Sequence, residues 1–565
     1  MEFWLTLFLA NILFFSIPFL LNIKNQPNPF NFFLNKGFNL RRKLRFIYSK
    51  SSSDPFKIFV EYSGLILFAS LFDFNIKTSS IIAASIGLVG IVLILYASIF
   101  LFIFRKPPMV LSDWSFTKVG LKLLKSKKYA VFVFLIPLLI VIYWGLYLLS
   151  GRLLSYQPSN VSIYISLPIT LGLGYYNVNS YAYSKFYGRT FYTPFIHLLR
   201  NIKESSKFNF LLGKDQEYFK KFNLYQDLEL KSKPNIVIIN LESYGSINIR
   251  DEFLQQEITD KLKEKEALLF QAGLYATSAF STPPMFAGGS WLSYTTLLYG
   301  TKVSDQNQYE LLMKGNDGFD AYQSIFRYLK TQGYKNIYLC PLGGGYLENV
   351  DWDVVSTNLN SDQYITFNDL DYNGKTLNFM DLGVTAPDQY SINKAKELLD
   401  KDKNEPYSLF FCTLNSHLPF SSPTNIEKNW SEIPNLDFET NDSFITKKEK
   451  YKEAIKYQLD FIFDYIEKNK NENSIYLLFG DHQPPFITRE KMGWETIIHI
   501  IAKDKSFLET FKKEGFESGL IVNKNLKPVK HEGIMSLFMK SLLRLYGVDK
   551  KQDLPYLYDG MQFEK

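Results

Sequence analysis

Residues 478–485 read Leu-Phe-Gly-Asp-His-Gln-Pro-Pro and follow the apolar run that begins at Ser474. Asp481 and His482 are hard and borderline metal ligands side by side. Successive strand residues point to opposite faces, so the two reach one ion only from a loop. Gly480 before them and the two prolines after them suit such a turn. Glu242 ends the β-branched run PNIVIINLE, and His417 closes YSLFFCTLNSH. Ser290 follows Gly288 and Gly289 in FAGGSWLSYTTLLYG, where the pattern turns helical. A serine at a helix start lies in a field that stabilises an anion. A nearby metal would turn it into a nucleophile. Serine is also an ordinary helix cap, and Glu242 taken alone could be a loop carboxylate. The residue types alone leave both readings open.

The chain has five histidines. His499, inside TIIHIIA, reads as a satisfied core residue; His197 reads as lying at a membrane surface. The two cysteines, Cys340 and Cys412, sit in apolar strand-like runs and read as core. They neither build a disulfide framework nor exclude an oxidising compartment.

The elements that must position these groups follow from the pattern after about residue 230. The stretches 234–243, 334–342, 407–417 and 474–482 are continuous apolar runs, as strands buried on both faces are. Helical patterns such as DAYQSIFRYLKTQG separate them. The expectation is an α/β domain over 231–565 with a central sheet between helices. In such sheets ligands collect at the C-terminal strand ends, which is where Glu242, His417, Asp481 and His482 fall.

The first 150 residues differ. Residues 3–21, 81–104 and 129–150 carry no charge, and 58–72 is a shorter run containing Glu61. About 20 apolar residues cross a hydrocarbon core, so 1–150 reads as a transmembrane domain of about four spans. Lys24–Lys57 holds eight basic residues against one acid, and Arg105–Lys128 seven against one. Basic loops stay in the cytoplasm; with four spans everything after Ser150 lies outside. The net charge of +7 in 565 residues thus reads as membrane topology and calls for no nucleic-acid partner. Residues 151–230 read as an interfacial linker. Within it 161–176 is a candidate fifth span, read as interfacial or re-entrant because it is short and holds Pro168, Gly172 and Gly174. The following YTPFIHLLRNI reads as an amphipathic surface helix.

In order along the chain, NLES, GGSWLS, NSHLPF and FGDHQPP resemble the alkaline phosphatase–sulfatase superfamily. The resemblance is closest to its membrane branch, the lipoteichoic acid synthase and phosphoglycerol transferase family. APDQYSI, residues 386–392, also looks like a family segment. The resemblance implies one divalent cation held by Glu242, Ser290, Asp481 and His482. Manganese is the expected ion, with magnesium or zinc as alternatives. It also implies Ser290 as nucleophile, His417 on the phosphate, and Trp352 lining the pocket. The implied reaction moves a phosphoglycerol or phosphoethanolamine head group from a phospholipid, through a phospho-Ser290 intermediate, to an envelope glycan or glycolipid. The implied place is the bacterial cytoplasmic membrane, multi-pass, with the catalytic domain on the extracytoplasmic side. Ser290 stands where lipoteichoic acid synthases carry Thr.

A sulfatase activity would need C/S-x-P-x-R, and STPPM at 281–285 lacks the Arg. A two-metal phosphodiesterase or phosphatase would need more His and Asp ligands than His417 and His482 provide. A scaffold with a degenerate domain would not need Glu242, Ser290, Asp481 and His482 together.

Overall fold

The structure is a computed structural model. It describes all residues except 23–56, 73, 105–107, 110–112, 114–133, 135, 157, 180–190, 206–213, 215, 314–321, 345–358, 379–382, 401–404, 421–422, 424–425, 427–428, 431–445, 489–491, 550–552 and 564–565. Trp352 lies outside the described residues. The chain divides into two units, Met1–Lys207 and Phe208–Lys565.

The first unit is helical. Its helices are α1 (Glu2–Asn22), α2 (Val60–Leu71), α3 (Ile76–Phe104), α4 (Ile136–Ser155), α5 (Asn160–Asn179) and α6 (Pro194–Ser205). Large apolar side chains such as Leu13, Val89, Val141, Trp144 and Ile165 point outward. Polar groups turn inward: Asn11 bonds Ser63 at 3.1 Å, and the Tyr62 hydroxyl lies 3.0 Å from Ser150 Oγ. An apolar exterior around a polar-stitched interior is what hydrocarbon surroundings favour. Among the described residues two helices, Ile76–Phe100 and Ile136–Ser155, are long and apolar enough to cross a membrane; Glu2–Ser16 and Val60–Leu71 are shorter apolar helices. At 12 residues, α2 is about 18 Å long, well short of a hydrocarbon core of about 30 Å. The candidate fifth span, 161–176, lies inside one continuous 20-residue helix, α5, despite Pro168. α5 packs on α2, and a Cβ on Gly174 would come within 2.8 Å of Val60.

A two-stranded pair joins β1 (Ile58–Phe59) to β2 (Phe191–Tyr192). The Phe195 amide donates to Glu61, and Asn201 donates to Pro108 O. Lys57, Pro108 and α6 therefore share one end of this unit.

The second unit is built on a nine-stranded sheet. Its strands are β3 (Asn235–Leu241), β4 (Tyr275–Thr282), β5 (Lys335–Leu339), β6 (Gln363–Ile365), β7 (Tyr407–Cys412), β8 (Ser474–Gly480), β9 (Thr496–Ala502), β10 (Glu517–Ser518) and β11 (Val529–Lys530). The spatial order is β10-β4-β9-β8-β3-β7-β5-β6, with β11 pairing β4. β8, β3, β7, β5 and β6 run parallel, and β9 is antiparallel to both β8 and β4. β4 therefore points the same way as the parallel core. The four runs read as strands from sequence are β3, β5, β7 and β8.

Helices cover both faces, as strands buried on both sides demand. Val237, Ile239 and Leu241 share a core with α7 (Gln255–Gln271) and α9 (Lys447–Lys468) through Ile258, Leu262, Ile455 and Ile462. On the other face α8 (Ser290–Tyr299) sets Tyr294 5.2 Å from the Phe410 ring. α10 (His531–Tyr546) packs against α8 there, with His531 5.8 Å from Phe479.

Candidate active site

β3, β7 and β8 end side by side: Gly480 pairs with Leu241, and Cys412 with Asn240. Glu242, the 413–417 segment, Asp481 and His482 leave the sheet at this edge. β4 ends at the same edge and leads to Gly288 and Gly289, at φ 65° and 70°. Glycine takes these left-handed values without a Cβ clash. The turn they make starts α8 at Ser290.

Residues far apart in sequence thus become one cluster at the strand ends. Ser290 Oγ lies 3.2 Å from Glu242 Oε2 and 3.2 Å from His482 Nε2. His482 Nε2 is 3.5 Å from Glu242 Oε1 and 3.4 Å from Asp481 Oδ2. Asp481 Oδ1 accepts from the amides of Ser243 and His482, both at 2.8 Å. His482 Nδ1 donates to Gln483 O at 3.0 Å, so in the neutral ring Nε2 is a lone pair turned toward two carboxylates.

That arrangement fits a cation. Glu242, Asp481 and His482 can each offer a ligand atom, all within 4.8 Å of one another, and all three are buried. Asp481 Oδ2 is buried with no hydrogen-bond partner. Burial, then the Glu242 carboxylate, pushes the Asp481 carboxyl up to about 6. Concentrated negative charge with an orphaned oxygen is relieved by a divalent ion. Carboxylate, imidazole and hydroxyl donors suit manganese, magnesium or zinc.

His417 sits beside this cluster, close enough for the charges on His482 and Asp481 to act on it. Burial lowers its pKa below the usual imidazole value. Its Nδ1 donates to Leu418 O at 2.7 Å, which leaves proton transfer to Nε2. The structure therefore brings Glu242, Ser290, Asp481, His482 and His417 together. His499 is in the core of the sheet, as expected.

Supporting residues escaped the sequence reading. Ser243 has φ 59° and donates to Glu242 Oε1 at 2.8 Å. A non-glycine residue there is strained; the Tyr451 hydroxyl holds its carbonyl at 2.8 Å. Thr413 accepts from the Glu242 amide at 2.9 Å, Ser416 donates to Glu242 O at 2.7 Å, and Gln458 donates to both hydroxyls. His531 spans Ser281 Oγ at 2.7 Å and Gly480 O at 3.1 Å, tying the ends of β4 and β8. Only Ser243 carried a signal, as the residue after Glu242 in NLES.

Residues 234–496 match the sulfatase family model. No curated protein matches the chain. Solved structures with similarity include a lipoteichoic acid synthase from Listeria monocytogenes, 16% identical, covering 60% of this chain and 81% of that one, TM-score 0.39. The integral membrane lipooligosaccharide phosphoethanolamine transferase A of Neisseria meningitidis is 13% identical, covering 86% and 94%, TM-score 0.44. The Streptococcus pyogenes phosphoglycerol transferase GacH, in complex with sn-glycerol-1-phosphate, is 12% identical, covering 61% and 81%, TM-score 0.35.

Proposed function

From the match of residues 234–496 to the sulfatase family model, we propose that the protein is a metal-dependent phosphotransferase anchored in the bacterial cytoplasmic membrane. It moves a phosphoglycerol or phosphoethanolamine head group from a phospholipid to an envelope glycan or glycolipid on the extracytoplasmic side. One observation carries the reading: Ser290 Oγ lies 3.2 Å from both Glu242 and His482 inside a buried acid–imidazole cluster. The outward apolar helices of the first unit support a membrane anchor, which would keep the site near its donor.

Glu242, Ser290, Asp481 and His482 would hold the divalent ion. When bound, it supplies positive charge that acidifies the serine hydroxyl and neutralises phosphoryl oxygens. Ser290 Oγ, its proton lost to bulk water, forms a bond to phosphorus, and the bond from phosphorus to the diacylglycerol oxygen breaks. The phosphodiester then rests on Ser290. An acceptor hydroxyl attacks the same phosphorus and Ser290 Oγ leaves, regenerating the enzyme. His417 Nε2, when protonated, bonds a phosphoryl oxygen and gives its proton to the departing diacylglycerol oxygen; when neutral, it takes the proton of the acceptor hydroxyl.

The test is diacylglycerol release from head-group-labelled phosphatidylglycerol and phosphatidylethanolamine in detergent, with and without chelator, beside Ser290→Ala. The expected result is release from one of the two lipids, abolished by chelator and reduced at least about 1,000-fold in the variant. No release from either lipid by folded, metal-loaded protein would overturn the lipid-transfer reading. Release of inorganic phosphate from monoesters instead would make the enzyme a phosphatase.

A further inference from the structure

Asp388 is fully buried. It opens the helix Asp388–Leu399, yet no side chain caps that helix's own amides. An aspartate at a helix start ordinarily serves those amides. Here the carboxylate is turned to another segment. Oδ1 and Oδ2 accept from the Leu414 amide at 3.0 and 2.9 Å, and Oδ2 accepts from the Asn415 amide at 2.8 Å. The Asp388 amide in return donates to Asn415 Oδ1 at 2.9 Å. Leu414, the residue so clamped, accepts from the His417 amide at 3.0 Å, and His417 O accepts from Phe420 at 2.7 Å.

We propose that Asp388 is a positioning residue that fixes the 414–417 turn and thereby aims the His417 ring at the reacting phosphoryl group. The inference rests on the role given above to His417. The segment has two anchors with different duties. Gln458, through Thr413 and Ser416, ties it to the backbone of Glu242. Asp388 ties it through Leu414 and Asn415 to His417. Asparagine at 388 would keep the shape but offer one acceptor oxygen and turn an NH2 group toward the backbone amides. Among the described residues the Asp388 carboxylate bonds only the 414–415 backbone, and the Glu242 charge reaches it through space, so the affinity of the metal-holding groups should change little.

The full chain in detergent is compared as wild type, Asp388→Asn, His417→Ala and the double variant. Substrates are bis(p-nitrophenyl) phosphate and the two labelled phospholipids, and Mn2+ binding is titrated separately. In Asp388→Asn we expect kcat to fall about 10- to 100-fold, the effect of losing a hydrogen bond to a charged group. KM and the Mn2+ affinity should change less than about twofold, and the double variant should be no slower than His417→Ala. The His417 ring signal in 15N-histidine spectra, assigned by its loss in His417→Ala, should shift in Asp388→Asn. Asn415→Ala, which removes only the reciprocal bond, should give the same signature at smaller size and serves if Asp388→Asn does not fold. Wild-type kcat in Asp388→Asn, losses that multiply with His417→Ala, or a parallel fall in Mn2+ affinity would each overturn the proposal. If wild type cleaves no phosphoester, the functional reading fails by itself. The His417 signal then decides the placement of the ring, and an unmoved signal overturns Asp388.

Discussion

His499 makes acid sensitivity a sharp prediction. Its ring is fully buried in β9. Ser278 Oγ donates to Gly519 O at 2.6 Å, so toward His499 Nδ1, also 2.6 Å away, it acts as acceptor. The ring proton is therefore on Nδ1, and Nε2 accepts from the Tyr244 hydroxyl at 3.2 Å. A second proton on Nε2 would face that hydroxyl and leave a buried charge without a counter-ion. Burial lowers the pKa from 6.5 to about 3. A depressed folded value means that the contribution is present above the unfolded pKa and lost as pH falls toward the folded one. With about 1.4 kcal/mol per unit, the loss is about 2 kcal/mol at pH 5 and about 3 kcal/mol at pH 4. Asp388 and Asp481, raised to about 7 and about 6, titrate with the opposite sign over the same window. His531, lowered to about 4 by burial, titrates with the same sign as His499, so the raw pH profile of the wild type sums several opposed groups and a difference is needed. We expect His499→Gln to be less stable than wild type at pH 7 by about 1–3 kcal/mol. That gap should shrink by about 2 kcal/mol at pH 5, because only the wild type carries the titrating ring. Urea unfolding of both proteins in detergent, followed by tryptophan fluorescence, measures the gap. A gap that stays constant from pH 7 to pH 5 refutes the argument.

Two more outcomes follow from the geometry. A Cβ on Gly480 would overlap Tyr244 O; Gly480→Ala should cost about 1–3 kcal/mol and displace Asp481, so thermal unfolding and Mn2+ affinity should both fall. Wild-type affinity in that variant would show that the two loops can separate freely. For topology, a reporter fusion at residue 230 should report the outer face, and one within 105–128 shows which face that basic stretch takes. A cytoplasmic signal at 230 would sink the extracytoplasmic assignment.

The cluster was legible because the residue types that metal and nucleophile chemistry would need are rare and fall at strand ends. Glu242, His417, Asp481 and His482 each terminate an apolar run that β3, β7 and β8 turn into a common edge. Ser290 reads as cap or nucleophile in the sequence; β4 places its loop at that edge, beside Glu242 and His482. β4 itself, YATSAFST, hid because small polar residues interrupt it. Those residues are polar for a reason: Ser278 and Ser281 bond the buried rings of His499 and His531. Gln458 and His531 were illegible because their partners are backbone groups and hydroxyls far away in sequence, which leave no local pattern; Asp388 lies in the family-like segment 386–392, but nothing local marked its partners at 414 and 415.

The first unit shows where hydropathy reading stops. The inside-out assignment counted spans, and its parity hung on residues 161–176, where Pro168 and two glycines argued for a broken segment. In α5 the proline is accommodated within a continuous helix, as neighbouring helices permit in such bundles. Lys57 and Pro108, described residues within the two basic stretches, lie at the end of the first unit that holds the start of α6. If α5 crosses the bilayer, the parity of the spans changes. The charge rule would then draw the catalytic domain inward, while a glycan acceptor in the envelope requires it outside. The rule weighs about 1 kcal/mol per basic residue near the surface, against the cost of moving whole apolar helices. Charge therefore biases orientation without fixing it, and the paired fusions at 105–128 and 230 separate the cases: opposite faces mean four spans, the same face means that α5 crosses.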